Sequence, residues 1–156
     1  MRLSEVLLST ASAGLRLQRN DGSFPPGHNG PWFVSETAVR NTAHWLKTMH
    51  KAYALTQEGV YKKAALSAAE YIADQGDGLR IYKIMEHTDE IWQPNGIVGQ
   101  AWVLEALLAA SDFDEKYLLL AERLVEGYPF DEQSGLWHVL SLKGQDLGPH
   151  TTLNQQ

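Results

Sequence analysis

An internal repeat, marked by two tryptophans 57 positions apart, is the feature that most constrains how this sequence can fold. Trp45 lies 16 residues before Tyr61, and Trp102 lies 15 residues before Tyr117. Self-similarity at a fixed period is typical of proteins built from stacked helical pairs, because each pair buries its apolar face on its neighbours. The sequence therefore predicts helical hairpin repeats of about 57 residues.

Helical periodicity of apolar residues is found in five segments, which predicts an all-α fold. The segment 96–110 is apolar nearly all round and is expected to be a buried inner helix, whereas 114–126 has one polar face and is expected to lie outside. In this register 36–55 and 96–110 are parallel neighbours in one layer. The five predicted helices span 4–18, 36–55, 58–74, 96–110 and 114–126.

Composition and charge exclude several classes of function. The net charge is −6 and the basic residues are scattered, which argues against a nucleic-acid partner. The chain has no cysteine, so it has neither a disulfide framework nor a thiol nucleophile. The amino-terminal stretch has an acid within its apolar residues, and no run is apolar enough to span a membrane. These features predict a cytoplasmic protein without a membrane partner.

Three sequence runs stand out in the loops and at the helix starts: Asp21 to Trp32, Glu36 to Trp45, and Asn95 to Trp102. Together they resemble the six-hairpin glycosidase-like, (α/α)6-toroid proteins. The resemblance implies that residues 1–156 form a single, incomplete α/α-toroid domain, similar to the amino-terminal part of such a ring. An array cut within a repeat exposes an apolar end, so self-association through this truncated edge is expected.

The same resemblance implies a function in carbohydrate chemistry. The wider superfamily includes glucuronyl hydrolases, polysaccharide lyases and sugar 2-epimerases, whose site lies in a funnel lined by the inner helices. The expected function is thus a glycoside hydrolase, polysaccharide lyase or sugar epimerase that acts on an acidic or amino sugar by acid/base catalysis, with no cofactor. The alternative is a noncatalytic helical-repeat module of the same fold that binds a carbohydrate, an oligosaccharide or a protein along one face.

The candidate catalytic residues are Glu36 and His44, which share one stripe of a helix with Arg40. Arg40 is four residues after Glu36 and His44 is four residues after Arg40, so the three side chains stack along the helix. A carboxylate and an imidazole can move a proton, while the guanidinium holds an anionic sugar group. The alternative interpretation is a solvated face, because Lys47 and Lys51 continue the same stripe.

Further candidates for substrate binding lie in or beside the loops that precede the two inner helices. An indole can stack on a sugar ring, and amide or imidazole groups can bond its hydroxyls. No spacing of the His-Glu-x-x-His kind exists, so no metal is expected. The candidates are Trp32, Asn41, His87, Asn95 and Gln100.

Glu105 interrupts the apolar helix 96–110, where an unpaired buried carboxylate would cost several kcal/mol. The favoured interpretation is a structural ion pair or a position that reaches the surface; the alternative is an acid with a raised pKa. Trp45 and Trp102 occupy equivalent repeat positions, which favours packing over ligand contact for both.

Overall fold

A computed structural model of the chain describes residues 2–29, 33–76, 81–84, 86, 97–141 and 144–149. The described residues include five helices, so the five predicted helices and their positions along the sequence are confirmed. Their ends lie within three residues of the predicted ones. The helices are α1 (Leu3–Leu15), α2 (Ala38–Thr56), α3 (Gly59–Gln75), α4 (Ile97–Ser111) and α5 (Lys116–Glu126).

Helix α2 begins later than the sequence pattern predicts because Thr37 is its N-cap. The Thr37 hydroxyl accepts a hydrogen bond from the backbone N–H of Val39 at 3.3 Å, which satisfies an amide that has no partner inside the helix. The helix ends at Thr56, and the C-cap residue Gln57 has a left-handed φ of 58°. Glu36 therefore lies just outside the helix, in the loop that leads into it.

Helices α2 and α4 are parallel neighbours, as the repeat register predicts. Arg40 and His44 contact Trp102, Lys47 contacts Glu105, and His50 contacts Asp112, so the contacts advance along both helices in the same direction. Helix α2 also packs against α1 and α3, and α5 packs mainly against α4. These contacts establish neighbouring hairpins, while the closed toroid remains a prediction.

The expectation of an all-α fold is correct only in part, because the described residues also form two small antiparallel sheets. The larger one has three strands that pair in chain order, and its turns contain Gly135 and Gly144 with φ of 71° and 76°. Glycine adopts this left-handed conformation without a steric penalty, so the chain reverses tightly there. The strands are β1 (His28–Asn29), β2 (Val34–Ser35), β3 (Phe130–Asp131), β4 (Leu136–Leu140) and β5 (Asp146–Pro149).

The core lies between the helices and includes aromatic side chains from the repeat. Tyr61 and Tyr117 are both buried. Trp45 stacks on Phe24, with ring centroids 5.2 Å apart, and packs over Gly14 of α1. Among the helices of the described ranges, none is long and apolar enough to cross a membrane.

Candidate functional site

The described parts of two long loops, the first loop (20–34) and the second loop (77–94), meet at the beginning of α2. The backbone N–H of Glu36 donates to the carbonyl of Gly27 at 3.2 Å, which attaches the first loop. The backbone N–H of Thr37 donates to the carbonyl of Ile84 at 2.6 Å, and its hydroxyl donates to the carbonyl of Lys83 at 2.6 Å. The first turn of α2 therefore lies where the sequence predicts the site, between the two loops.

Gln100, in the first turn of α4, holds the second loop against the helices. Its carboxamide donates to the carbonyl of Tyr82 at 2.8 Å and accepts from the backbone N–H of Tyr82 at 2.9 Å. The side chain is 1% exposed. This pairing supplies partners to two buried backbone groups, so the structure places Gln100 in the support of the loop rather than on an open surface.

Glu36 and Arg40 form an ion pair at the start of α2. The Glu36 side chain is 2% exposed and the Arg40 side chain 25%. An added side chain at Gly27 would bring its first carbon within 3.4 Å of a Glu36 carboxylate oxygen, so the loop backbone packs closely over the carboxylate. Asn41 also faces this loop, since its amide donates to the carbonyl of Pro25 at 2.7 Å.

Trp102 of α4 brings Arg40 and His44 together. The guanidinium carbon of Arg40 lies 4.2 Å from the centre of the Trp102 ring, within the range of a cation–π contact. The His44 ring lies 5.4 Å from the same indole, at a tilt of 54°. Burial lowers the pKa of His44, and the positive charges of Lys47 and Arg40 add to this effect while Glu105 opposes it. This lowered pKa favours the neutral imidazole at pH 7.

Most of the stripe is shielded from bulk water, because Arg40, His44 and Lys47 contact α4. Glu36 is buried, Arg40 and His44 are half-buried, and Lys47 pairs with Glu105. Of the five side chains in the stripe, Lys51 is the most exposed to solvent. Glu105 is itself 60% exposed in its side chain, in agreement with the favoured interpretation of a paired residue that reaches the surface.

Three candidates, Trp32, His87 and Asn95, lie outside the described residues. The sequence interpretation assigned Trp102 to core packing and so missed its contacts with Arg40 and His44. The signal that could have found them is the repeat register, which makes α2 and α4 parallel neighbours. Within the described parts of the chain, no three histidine, aspartate or glutamate side chains are grouped so as to hold a metal ion.

Comparison with known proteins finds a relative in archaeal glycosylation. The chain is 43% identical over 158 residues to archaeal glycosylation protein Q from Haloferax volcanii. The match covers 99% of this chain and 42% of the relative, so the chain spans about two fifths of the relative's length. No family model matches the chain. No solved structure matches it either.

The expected function as a glycoside hydrolase, polysaccharide lyase or sugar epimerase is contradicted by this similarity, which points to glycosylation. That expectation came from the resemblance of three sequence runs to the toroid proteins, and a fold of that kind supports many unrelated reactions. Sugar-related partners remain consistent with the relative.

Proposed function

We propose that this chain acts in a glycosylation pathway, where it binds a sugar beside Arg40, His44 and Trp102. The observation that carries the proposal is the 43% identity to a glycosylation protein across almost the whole chain. Because the match covers 42% of that relative, the proposed sugar site corresponds to a region within about two fifths of the relative's length. The proposal keeps the carbohydrate partner that the sequence predicts, but not the hydrolase, lyase or epimerase reaction.

The geometry around Trp102 supports the binding of sugar hydroxyl groups. Arg40 is held on one side by Glu36 and on the other by the indole, so its remaining N–H groups are fixed before a ligand arrives. Such preorganisation lowers the entropy that binding costs. The neutral His44 ring offers one donor and one acceptor, the combination that a hydroxyl group needs. Arg40 and His44 can thus bond neighbouring hydroxyls of one ring.

The test is a chimera in which this chain replaces the matching region of the Haloferax volcanii relative, in cells that lack the native protein. We expect the chimera to restore the glycan composition of the host's glycoproteins, as measured by mass spectrometry. Arg40→Lys keeps the charge beside Glu36 but removes the planar donor fork, and it should abolish restoration, as should His44→Gln. Lys51→Met, an exposed change on the same helix, is the matched control.

Two results contradict the proposal. One is a chimera that is present at the normal cellular level but restores no glycosylation. The other is full restoration by both Arg40→Lys and His44→Gln. Protein abundance is measured in every strain, so that a loss of folding is distinguished from a loss of sugar binding.

We also propose that the hairpin array continues across the outer face of α4 and α5, as in an α/α toroid. An apolar groove of about 370 Å³ runs between these helices, and Leu108 and Val125 in it are 45% and 43% exposed. An uncovered apolar groove favours association, so this chain alone should self-associate. The double change Leu108→Glu with Val125→Glu should give a monomer in light scattering, and a monomeric parent chain would contradict the proposal.

A further inference from the structure

A separate polar cavity of about 360 Å³ lies at the start of α2 and shares no residue with the Arg40, His44 and Trp102 cluster. Its walls come from the turn after α1, the first loop, the first turn of α2, the last turns of α3 and the second loop. The volume is within the range of small-molecule sites. The side chains that matter for a ligand are those of Arg19, Pro26, Tyr71, Gln75, Lys83 and Glu86.

The side chains around this cavity combine hydrogen-bond donors with acceptors. Lys83 and Glu86 pair loosely at 3.4 Å, and both side chains are about half exposed, at 45% and 50%. Gln75 supplies both a donor and an acceptor. Burial raises the pKa of Tyr71, which keeps its phenol protonated as a donor. Within the described ranges, the Arg19 guanidinium has no carboxylate at ion-pair distance, which leaves its donors for a ligand.

This combination suits a neutral sugar ring better than a phosphate group. A multiply charged anion in the cavity would be repelled by the Glu86 carboxylate. A second carboxylate, that of Asp21, lies near Arg19: hydrogen bonds from Ser23 lower the pKa of Asp21 most, and the positive charge of Arg19 lowers it further. A hydroxyl both donates and accepts, so paired hydroxyls can bond a carboxylate on one side and a cation on the other. Pro26 and Tyr71 add apolar surface for the C–H face of the ring.

We propose that this cavity binds one neutral hexose unit, with Arg19, Gln75, Lys83 and Glu86 bonding its hydroxyls. It would be a second sugar site, at the same end of α2 as the Trp102 cluster but built from other residues. The proposal does not depend on the Trp102 site, since the two sets of side chains are disjoint.

The experiment is a titration of the isotopically labelled chain with methyl α-glucoside, methyl α-mannoside and methyl β-galactoside, followed by NMR of the backbone amides. At least one of the three should shift the amides of Thr37, Ala38, Lys83 and Glu86 in a saturable way, with a Kd on the order of 1 mM. Gln75→Ala and Lys83→Met should each weaken this binding at least fivefold. Their matched controls are the exposed changes Gln133→Ala and Lys63→Met, which should have no effect.

Three outcomes overturn the proposal. The first is the absence of saturable shifts at these amides with all three sugars. The second is a set of shifts confined to Arg40, His44 and Trp102, which would support the Trp102 site alone. The third is inorganic phosphate binding to the same amides more tightly than any of the sugars. Lys83 contributes its backbone carbonyl, not its side chain, to the α2 cap, so Lys83→Met should keep the fold. An amide spectrum of this variant without sugar that matches the parent away from residue 83 verifies that it does.

Discussion

The guanidinium carbon of Arg40 lies 4.2 Å from the centre of the Trp102 ring, and the same guanidinium pairs with the buried carboxylate of Glu36. One side chain thus joins the loop before α2 to the face of α4. Replacement of Arg40 therefore removes two interactions at once, the ion pair with Glu36 and the cation–π contact with Trp102. The energetic consequences can be measured separately from sugar binding.

Arg40→Met should lower the free energy of unfolding by about 3 kcal/mol, because it leaves the Glu36 carboxylate buried without its partner. Urea unfolding followed by circular dichroism measures the change. Lys51→Met, at an exposed position of the same helix, should stay within about 0.5 kcal/mol of the parent. The double variant Glu36→Gln with Arg40→Met should lose less than the sum of the single losses, since the two residues are in contact. Strict additivity would show that the pair contributes nothing.

The lowered pKa of His44 predicts a dependence of stability on pH. The unfolded chain takes up a proton at this residue near pH 6.5, and the folded chain does so only at lower pH. Stability should therefore fall as the pH drops below about 6.5, down to the folded-state pKa, and His44 should have no such effect above that window. The melting temperature of His44→Gln should fall less steeply with acidification than that of the parent. Parallel curves for the two proteins between pH 7 and pH 5 would contradict this prediction.

Gln100→Leu should destabilise the fold strongly although it replaces a polar side chain with an apolar one of similar size. The change leaves the N–H and carbonyl of Tyr82 buried without partners, at about 1 to 3 kcal/mol for each group. Chemical denaturation gives the loss, and hydrogen exchange at the Tyr82 amide should become faster. Gln145→Leu, at an exposed position, provides the comparison. An unchanged exchange rate at Tyr82 would mean that Gln100 does not hold the loop.

Gly14→Ala and Gly59→Ala make the same chemical change in two helices and should act in opposite directions. A methyl group at Gly14 would lie 2.2 Å from the Trp45 ring, which must then move, at a cost of about 1 to 3 kcal/mol. At Gly59 nothing lies within 4 Å, so alanine should stabilise α3 by up to about 1 kcal/mol. Thermal unfolding of the two variants measures both effects. A stable Gly14→Ala protein would show that α1 does not pack against Trp45 in this way.

The sequence could predict the helices because their signal is local. Each of the five segments has an apolar stripe or an all-round apolar surface within one or two dozen residues, and the observed ends differ by no more than three residues. The repeat register also predicted that α2 and α4 are parallel neighbours. Of the three-stranded sheet, the sequence indicates only a short extended piece after the turn at Ser134 and Gly135. Its pairing was not predicted because the strands are short, of two to five residues, and their stability comes from pairing with other strands rather than from a periodic pattern of their own.

The sequence by itself determined which residues form helices and placed the candidate site at the start of α2, between two long loops. Only the tertiary structure decided what each side chain there contacts. Trp45 and Trp102 are equivalent in the repeat, yet Trp45 packs on Phe24 and Trp102 packs on Arg40 and His44. The reason is physical: helical periodicity fixes the direction of a side chain on its own helix, whereas its partner depends on which residue the neighbouring helix or loop presents at that height.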